Sequence, residues 1–279
     1  MNVLFPRNMP QLVKALGEPG ARILAGGTDL LVRLRAQPDA KLATLVSLDR
    51  VAALRGVALE KPGTVLRIGA ASTHAELLAH PLVRARLPML AQALATLGSP
   101  PIRNMGTLGG NICTASPAGD TLPPLLVLGA ELELASASGT RSLPLADFLL
   151  GPGRTALQPG EALTAVRVPL PEPSARQHFE KVGRRDALAV AVVSLAALVR
   201  TGGKGAITSA SLAWGAVAPG IWRCPEAEAA LVGRKLTLSA LNSAARIASS
   251  RVQPISDVRA SADYRRSVTG NLLLRLAAL

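Results

Sequence analysis

The chain has 279 residues, of which 49% are hydrophobic and 18% charged, and its net charge is +13. Aromatic residues make up only 2%, so the basic excess has few rings for bases to stack on and reads as a solvated Arg-rich surface or a face for an acidic partner, not a nucleic-acid site. Two cysteines, Cys113 and Cys224, exclude a disulfide framework, a structural zinc site and an iron–sulfur cluster held by this chain alone.

In chain order, "PQLVKAL" (10–16) has helical spacing of apolar residues. "RILAGG" (22–27) reads as a buried strand that breaks into glycine, and "TLVSL" (44–48) and "VLRIGA" (65–70) as further strands. Helices are predicted over "THAELLAH" and over 81–98. Thr73 and Glu76 have the spacing of a capping box at the first of these. Alternation of strand and helix up to Gly98 suggests an α/β arrangement. Past a glycine-rich stretch, "ELELAS" (131–136) alternates with period two, "GTR" (139–141) reads as a turn, and 161–173 as a strand running into prolines. A domain boundary is placed there, giving domains 1–172 and 173–279. Beyond it, "HFEKVGR" (178–184), "AVAVVSLAALVR" (189–200) and "ITSASLAWGAVA" (207–218) read as strands. Three helical segments follow, from "CPEAEAALVG" to the C-terminal "NLLLRLAAL". Strands followed by helices imply an α+β second domain. The N-terminus lacks the apolar core of a signal peptide. The longest apolar run, 187–199, is short of a membrane span and contains Ser194, so a cytoplasmic protein is expected.

Two stretches place Gly-Gly beside a small polar residue: "ILAGGTDLL" (23–31) and "GTLGGNICTASPAGDT" (106–121). Glycine permits positive φ and close approach of the backbone, and successive free N–H groups in such turns make a nest for anions. Neither stretch matches a dinucleotide fingerprint or a P-loop. The residues alone therefore leave ordinary turns as the alternative to a phosphate-bearing ligand. Asp120 suits either a ligand hydroxyl or the cap of a helix begun by "TLPPLLVLGA".

Together, "AGGTDLL", "IRNMGTLGGNICTASPAGDTLPPLLVLGAELEL", "GTRSLPLADFLLGPGRTALQPGEALTAVRVPLP", "FEKVGRR", "LAWGAVAP" and "DYRRSVTGNLLLR" cover nearly the whole chain. They resemble the FAD-binding medium subunit of the molybdenum hydroxylases, the group of xanthine dehydrogenase, carbon monoxide dehydrogenase and aldehyde oxidoreductase. The resemblance implies an α+β chain: a two-part FAD-binding domain of the vanillyl-alcohol-oxidase (PCMH) type, then a domain of three antiparallel strands and three helices. It implies FAD here, with [2Fe–2S] clusters on a small partner and a molybdenum cofactor on a large one, in a dimer of heterotrimers. FAD would pass electrons from the clusters to NAD+, oxygen or another acceptor. A stand-alone FAD oxidoreductase of the same fold and a basic binding module are the other readings.

Carried over by position, the resemblance assigns Ala25, Gly26, Gly27, Thr28, Asp29 and Leu30 to the diphosphate loop. It assigns Thr107, Leu108, Gly109, Gly110 and Asn111 to a second loop, and Asp120, Leu163 and Lys181 to further cofactor contacts. Lys181 near the flavin N1–C2=O edge would stabilise the reduced anion. Leu97 stands where some relatives place an aromatic residue. The acidic residue that relatives often carry beyond the lysine is replaced by Ala189, with Asp186 offset from it. His74 reads as a helix-start residue, Cys113 as a small buried one, and Trp214 and Trp222 as core or interface anchors.

Overall fold

A computed structural model describes residues 2–36, 44–185 and 188–278. Asp186 therefore lies outside the described residues. The first part opens with β1 (Asn2–Leu4), α1 (Met9–Leu16), β2 (Ala21–Leu24), α2 (Leu30–Ala36) and β3 (Thr44–Ser47). Its strands form a parallel sheet in the order β1-β3-β2. Asn8 caps α1 by accepting the Gln11 N–H at 3.0 Å. Leu12 and Leu16 then pack with Val46, Leu48, Val51 and Leu54 into a small core of their own.

A second sheet follows, from β4 (Val57–Glu60), β5 (Val65–Gly69), β6 (Glu131–Ser136), β7 (Gly139–Pro144) and β10 (Ala162–Pro169). It is antiparallel in the order β4-β5-β10-β6-β7. The late strand β10 inserts between β5 and β6 and is buried along most of its length. The predicted turn at 139–141 lies two residues early in the chain, at Ala137–Ser138; Gly139 already opens β7 with φ +122°. Helices α3 (His74–Ala79), α4 (Pro81–Arg86), α5 (Pro88–Thr96), α6 (Pro100–Met105), α7 (Leu108–Thr114) and α8 (Leu122–Val127) occupy most of the interval between β5 and β6, and α9 (Leu145–Phe148) follows β7. The capping box at Thr73 and Glu76 forms both of its bonds, at 3.1 and 2.7 Å. The helix predicted over 81–98 is two helices. Pro88 offers no N–H to the preceding turn and holds Leu87 out of the helical region, at φ −128° and ψ 55°. The hairpin of β8 (Leu149–Gly151) and β9 (Arg154–Thr155) completes this part.

The second part has three antiparallel strands, β11 (Arg176–Val182), β12 (Val193–Thr201) and β13 (Ile207–Gly215), then α10 (Pro225–Leu231), α11 (Leu238–Arg251) and α12 (Ala262–Leu274). β12 starts at Val193, four residues later than the apolar pattern suggests. Its sequence is apolar on both faces for a physical reason. Val193, Leu195, Ala197 and Val199 face the part's own helices, whereas Ala196 and Leu198 join the core of the first part's antiparallel sheet and its helices. Trp214 is fully buried beside Trp222, with ring centroids 5.1 Å apart, and donates its indole N–H to the Thr269 carbonyl at 3.1 Å. Arg265 on α12 donates to the carbonyls of Val192 and Ala216 at 2.7 and 2.6 Å and to Asp257 at 2.7 Å, which fastens the strand ends to the helix layer. Leu195→Ala and Leu198→Ala should each destabilise the chain by about 2–5 kcal/mol, read from urea unfolding. A loss under about 1 kcal/mol for Leu198→Ala would show that only one face of the sheet is packed.

Candidate functional site

At the end of β2 the backbone turns through Ala25–Asp29 into α2. Gly27 adopts φ +71°, which side-chain-bearing residues rarely do. Gly26 is required for another reason: a Cβ there would collide with the Met105 carbonyl and crowd Gly106, so the turn lies directly on the α6–α7 junction. The N–H groups of Gly26, Gly27, Thr28, Asp29 and Leu30 donate to no acceptor among the described residues. Such a run of free donors, at the C-terminal end of a parallel strand, suits an anion.

The second glycine stretch differs from the expected open loop. Gly109 and Gly110 lie in the first turn of α7, and the donors of that turn are satisfied within the chain. Leu108 donates to the Ser72 carbonyl at 3.1 Å, Gly109 to Ala70 at 2.8 Å, Gly110 to the Thr107 hydroxyl at 3.0 Å and Asn111 to the Thr107 carbonyl at 3.0 Å. Gly109 is glycine because a Cβ would stand 2.8 Å from the Ala70 methyl and carbonyl. At Gly110 the single close neighbour of a Cβ would be Thr107 Oγ1, at 2.9 Å, so this face of α7 is otherwise open.

Side chains join the two stretches. Thr114 Oγ1 donates to Asp29 at 3.2 Å, and Asp29 also pairs with Arg33 at 2.9 Å. Thr121 Oγ1 donates to Asn111 Oδ1 at 2.6 Å. Next to it, Asp120 is buried and pairs with the buried Lys181 Nζ at 2.7 Å through Oδ2, while Oδ1 has no partner among the described residues. Asp120 is therefore not the cap of α8, whose N-cap position makes no side-chain bond. Burial pushes its carboxyl up to about 6, with the Lys181 ammonium only partly opposing the shift. The Leu163 side chain is buried in the hydrophobic core that also holds Leu108 and Ile112 of the second stretch.

A cleft of about 330 Å³ is lined by Ala25 and Gly26 on one side and by Thr73, Asn104, Met105 and Thr107 on the other. Its polar wall holds Asp49, Arg55 and Glu76, with Arg55 3.9 Å from Asp49 and 3.4 Å from Glu76. These wall residues carry no motif; of them Glu76 is legible in the sequence, and only as a capping residue. His74 begins α3 as a neutral imidazole. Burial, reinforced by the Arg103 guanidinium, holds it down at about 4. Burial pushes the Cys113 thiol up to about 12, so it is inert at neutral pH. The Leu97 side chain is buried, and the Ala189 carbonyl accepts from Lys181 at 3.2 Å.

Because folding raises the Asp120 carboxyl from 3.8 to about 6, its contribution to stability is complete below about pH 4 and vanishes as the pH climbs through 6. The stability of the ligand-free wild type relative to Asp120→Asn should therefore fall between pH 4 and 6, as urea midpoints measure. A flat or rising difference would contradict the burial of this carboxyl.

Residues 1–171 match the family model described as the FAD binding domain in molybdopterin dehydrogenase, and residues 177–278 match the CO dehydrogenase flavoprotein C-terminal domain. The chain is 36% identical over 250 residues to a putative xanthine dehydrogenase FAD-binding subunit of Escherichia coli, covering 88% of this chain and 84% of that one. It is 32% identical to the carbon monoxide dehydrogenase medium chain of Hydrogenophaga pseudoflava, covering 97% and 93%. Its fold superposes on reconstituted CO dehydrogenase from Oligotropha carboxidovorans with a TM-score of 0.92 at 33% identity, covering 98% of this chain and 95% of that one. The chain thus belongs to the family of FAD-binding flavoprotein subunits of xanthine and CO dehydrogenase-type molybdenum oxidoreductases.

Proposed function

We propose that FAD binds around α7, with its diphosphate on the free N–H groups of residues 26–30 and an N–H or O–H donor on Asp120 Oδ1. The observation that carries this reading is the pairing of unsatisfied groups of opposite kind: a donor run beside Gly26 and one buried, unpartnered acceptor at Asp120. A diphosphate fits the first and a sugar-alcohol or ring donor the second. Ala25 and Thr107 line the approach. Leu108, Gly109, Gly110 and Asn111 form the wall, in which Leu108 and Gly109 are buried and Gly110 admits close contact. Leu163 contributes through its backbone alone, and Lys181 belongs to the site through Asp120. Bound FAD supplies acceptance of electron pairs and exchange of single electrons. This chain's residues hold it, orient it and exclude water. We place the division between the FAD-binding and C-terminal domains at residues 172 and 173.

The chain acts as the relay subunit of a cytoplasmic molybdenum hydroxylase, in a dimer of heterotrimers. It takes electrons from [2Fe–2S] clusters on a small partner, fed by a molybdenum cofactor on a large one, and delivers them to NAD+, oxygen or another acceptor. Two cysteines cannot ligate such a cluster, which supports placing the clusters on a partner. So do relatives described as FAD-binding subunits or medium chains. Among the described residues no helix is long and apolar enough to cross a membrane.

Gly26→Ala should purify without visible flavin absorbance, because the added methyl forces the turn off Met105. Gly203→Ala, where a Cβ meets nothing, should keep its flavin. Full flavin in Gly26→Ala would remove the diphosphate from this loop. The assembled complex should oxidise its substrate from a panel of purines, aldehydes, N-heterocycles and carbon monoxide, while the isolated chain oxidises none. A comparable rate from the isolated chain would replace the relay with a stand-alone oxidase.

A further inference from the structure

His74 opens α3 and is 3% exposed. Two contacts tie it to the α6–α7 junction. Its backbone N–H donates to the Gly106 carbonyl at 2.9 Å, and its neighbour Thr73 forms a β-bridge with Thr107. The imidazole edge lies against Gly106 itself. A Cβ on Gly106 would stand 3.0 Å from His74 Cδ2 and 3.3 Å from Nε2, with the Ile102 carbonyl also at 3.0 Å. Gly106 in turn meets Gly26, whose Cβ would stand 3.0 Å from the Gly106 Cα and collide with the Met105 carbonyl. Ring, junction and turn are thus three successive contacts, with no side chain between the imidazole and the backbone that carries the free N–H groups.

The ring makes these contacts at a cost to the fold. Nδ1 is buried with no hydrogen-bond partner among the described residues, and burial keeps the imidazole neutral. An unpaired buried polar atom is destabilising, and an apolar side chain of similar volume in its place is not. A residue kept only to fill the core would be a hydrocarbon. What the imidazole has and leucine lacks is flatness. A flat ring lies edge-on against a Cα that bears no side chain, whereas a branched side chain pushes that Cα away.

We infer that His74 is a positioning residue for the cofactor: its flat ring sets the height of the Met105–Gly106 backbone, and through it the Gly26 turn whose free N–H groups take the diphosphate. This rests on the reading that the diphosphate lies on residues 26–30.

The test uses the full chain stripped of flavin. FAD affinity is read from quenching of flavin fluorescence, and stability from the urea midpoint without FAD. His74→Leu should unfold at the same or a higher urea concentration, yet bind FAD about ten-fold more weakly, because a misplaced donor run loses affinity. Gly106→Ala crowds the same contact from the other side and should weaken FAD binding as well. In His74→Ala/Gly106→Ala the new methyl enters the space the ring has left, so the double variant should bind FAD more tightly than Gly106→Ala alone. Unchanged FAD affinity in His74→Leu, whatever its urea midpoint, is the behaviour of a core filler and would overturn the inference. So would losses that multiply in the double variant. Should His74→Leu fail to fold, the comparison of Gly106→Ala with the double variant decides alone. A wild-type chain that binds no FAD, or a Gly26→Ala chain that binds it undisturbed, would overturn the diphosphate reading and this inference together. Lost binding in Gly26→Ala with unchanged affinity in His74→Leu would overturn this inference alone.

Discussion

The site depends on close backbone contact at the α6–α7 junction. Gly26 rests on the Met105 carbonyl and Gly106, and Gly109 rests on Ala70. No residue with a Cβ fits at either place without moving backbone, so the parallel sheet, the α6–α7 junction and the antiparallel sheet meet at distances only glycine allows. That contact brings the turn after β2, which belongs to a small separate core, against elements of the main core. Without it, the free donors of residues 26–30 would lie on a surface loop with nothing opposite.

The two glycine pairs look alike in sequence and do different work. In the first, the backbone donors remain free and the nearby polar side chain, Asp29, is turned to Thr114 and Arg33. In the second, helix α7 satisfies its own first turn with Thr107, Ser72 and Ala70. A helix end with its donors already bound has little left for an anion. Of the two pairs, the first is the one that keeps backbone donors free for an anion. A count of glycines cannot separate these roles; an accounting of where each N–H goes does.

Much of the fold was legible. Periodicity found α1, β3, β5, β6 and the strand–strand–strand, helix–helix–helix order of the second part, because those segments have one clear buried face or, in β12, two. The capping box at Thr73 and Glu76 formed as read. What escaped was set by neighbours. The α2, α6 and α7 segments are only six or seven residues long, prolines open α6 and glycines interrupt α7, so local propensity is weak there and tertiary contact decides. The break at Leu87 needed only the proline rule, whereas the wall of Asp49, Arg55 and Glu76 brings together residues from separate segments and leaves no local signal. The family motifs named Asp120 and Lys181, yet their direct pairing across 61 positions is visible only in three dimensions.

That pairing also shows how a chain with few polar groups in its core can carry a charge-sensitive site. Asp120 lies in surroundings that favour its neutral form, and Lys181 only partly offsets them. A carboxylate so placed is sensitive to small changes in what faces it, since each lost or gained hydrogen bond acts with little water to screen it. Lys181 is held from three directions, by α5, by Ala189 and by Asp120 itself, so the carboxylate is aimed by the fold and not by its own flexible neighbours. Backbone donors at residues 26–30 and one buried acceptor at Asp120 thus leave two groups of opposite kind without a partner among the described residues. An arrangement of that kind suits a group that the chain holds and orients while the group itself supplies the chemistry.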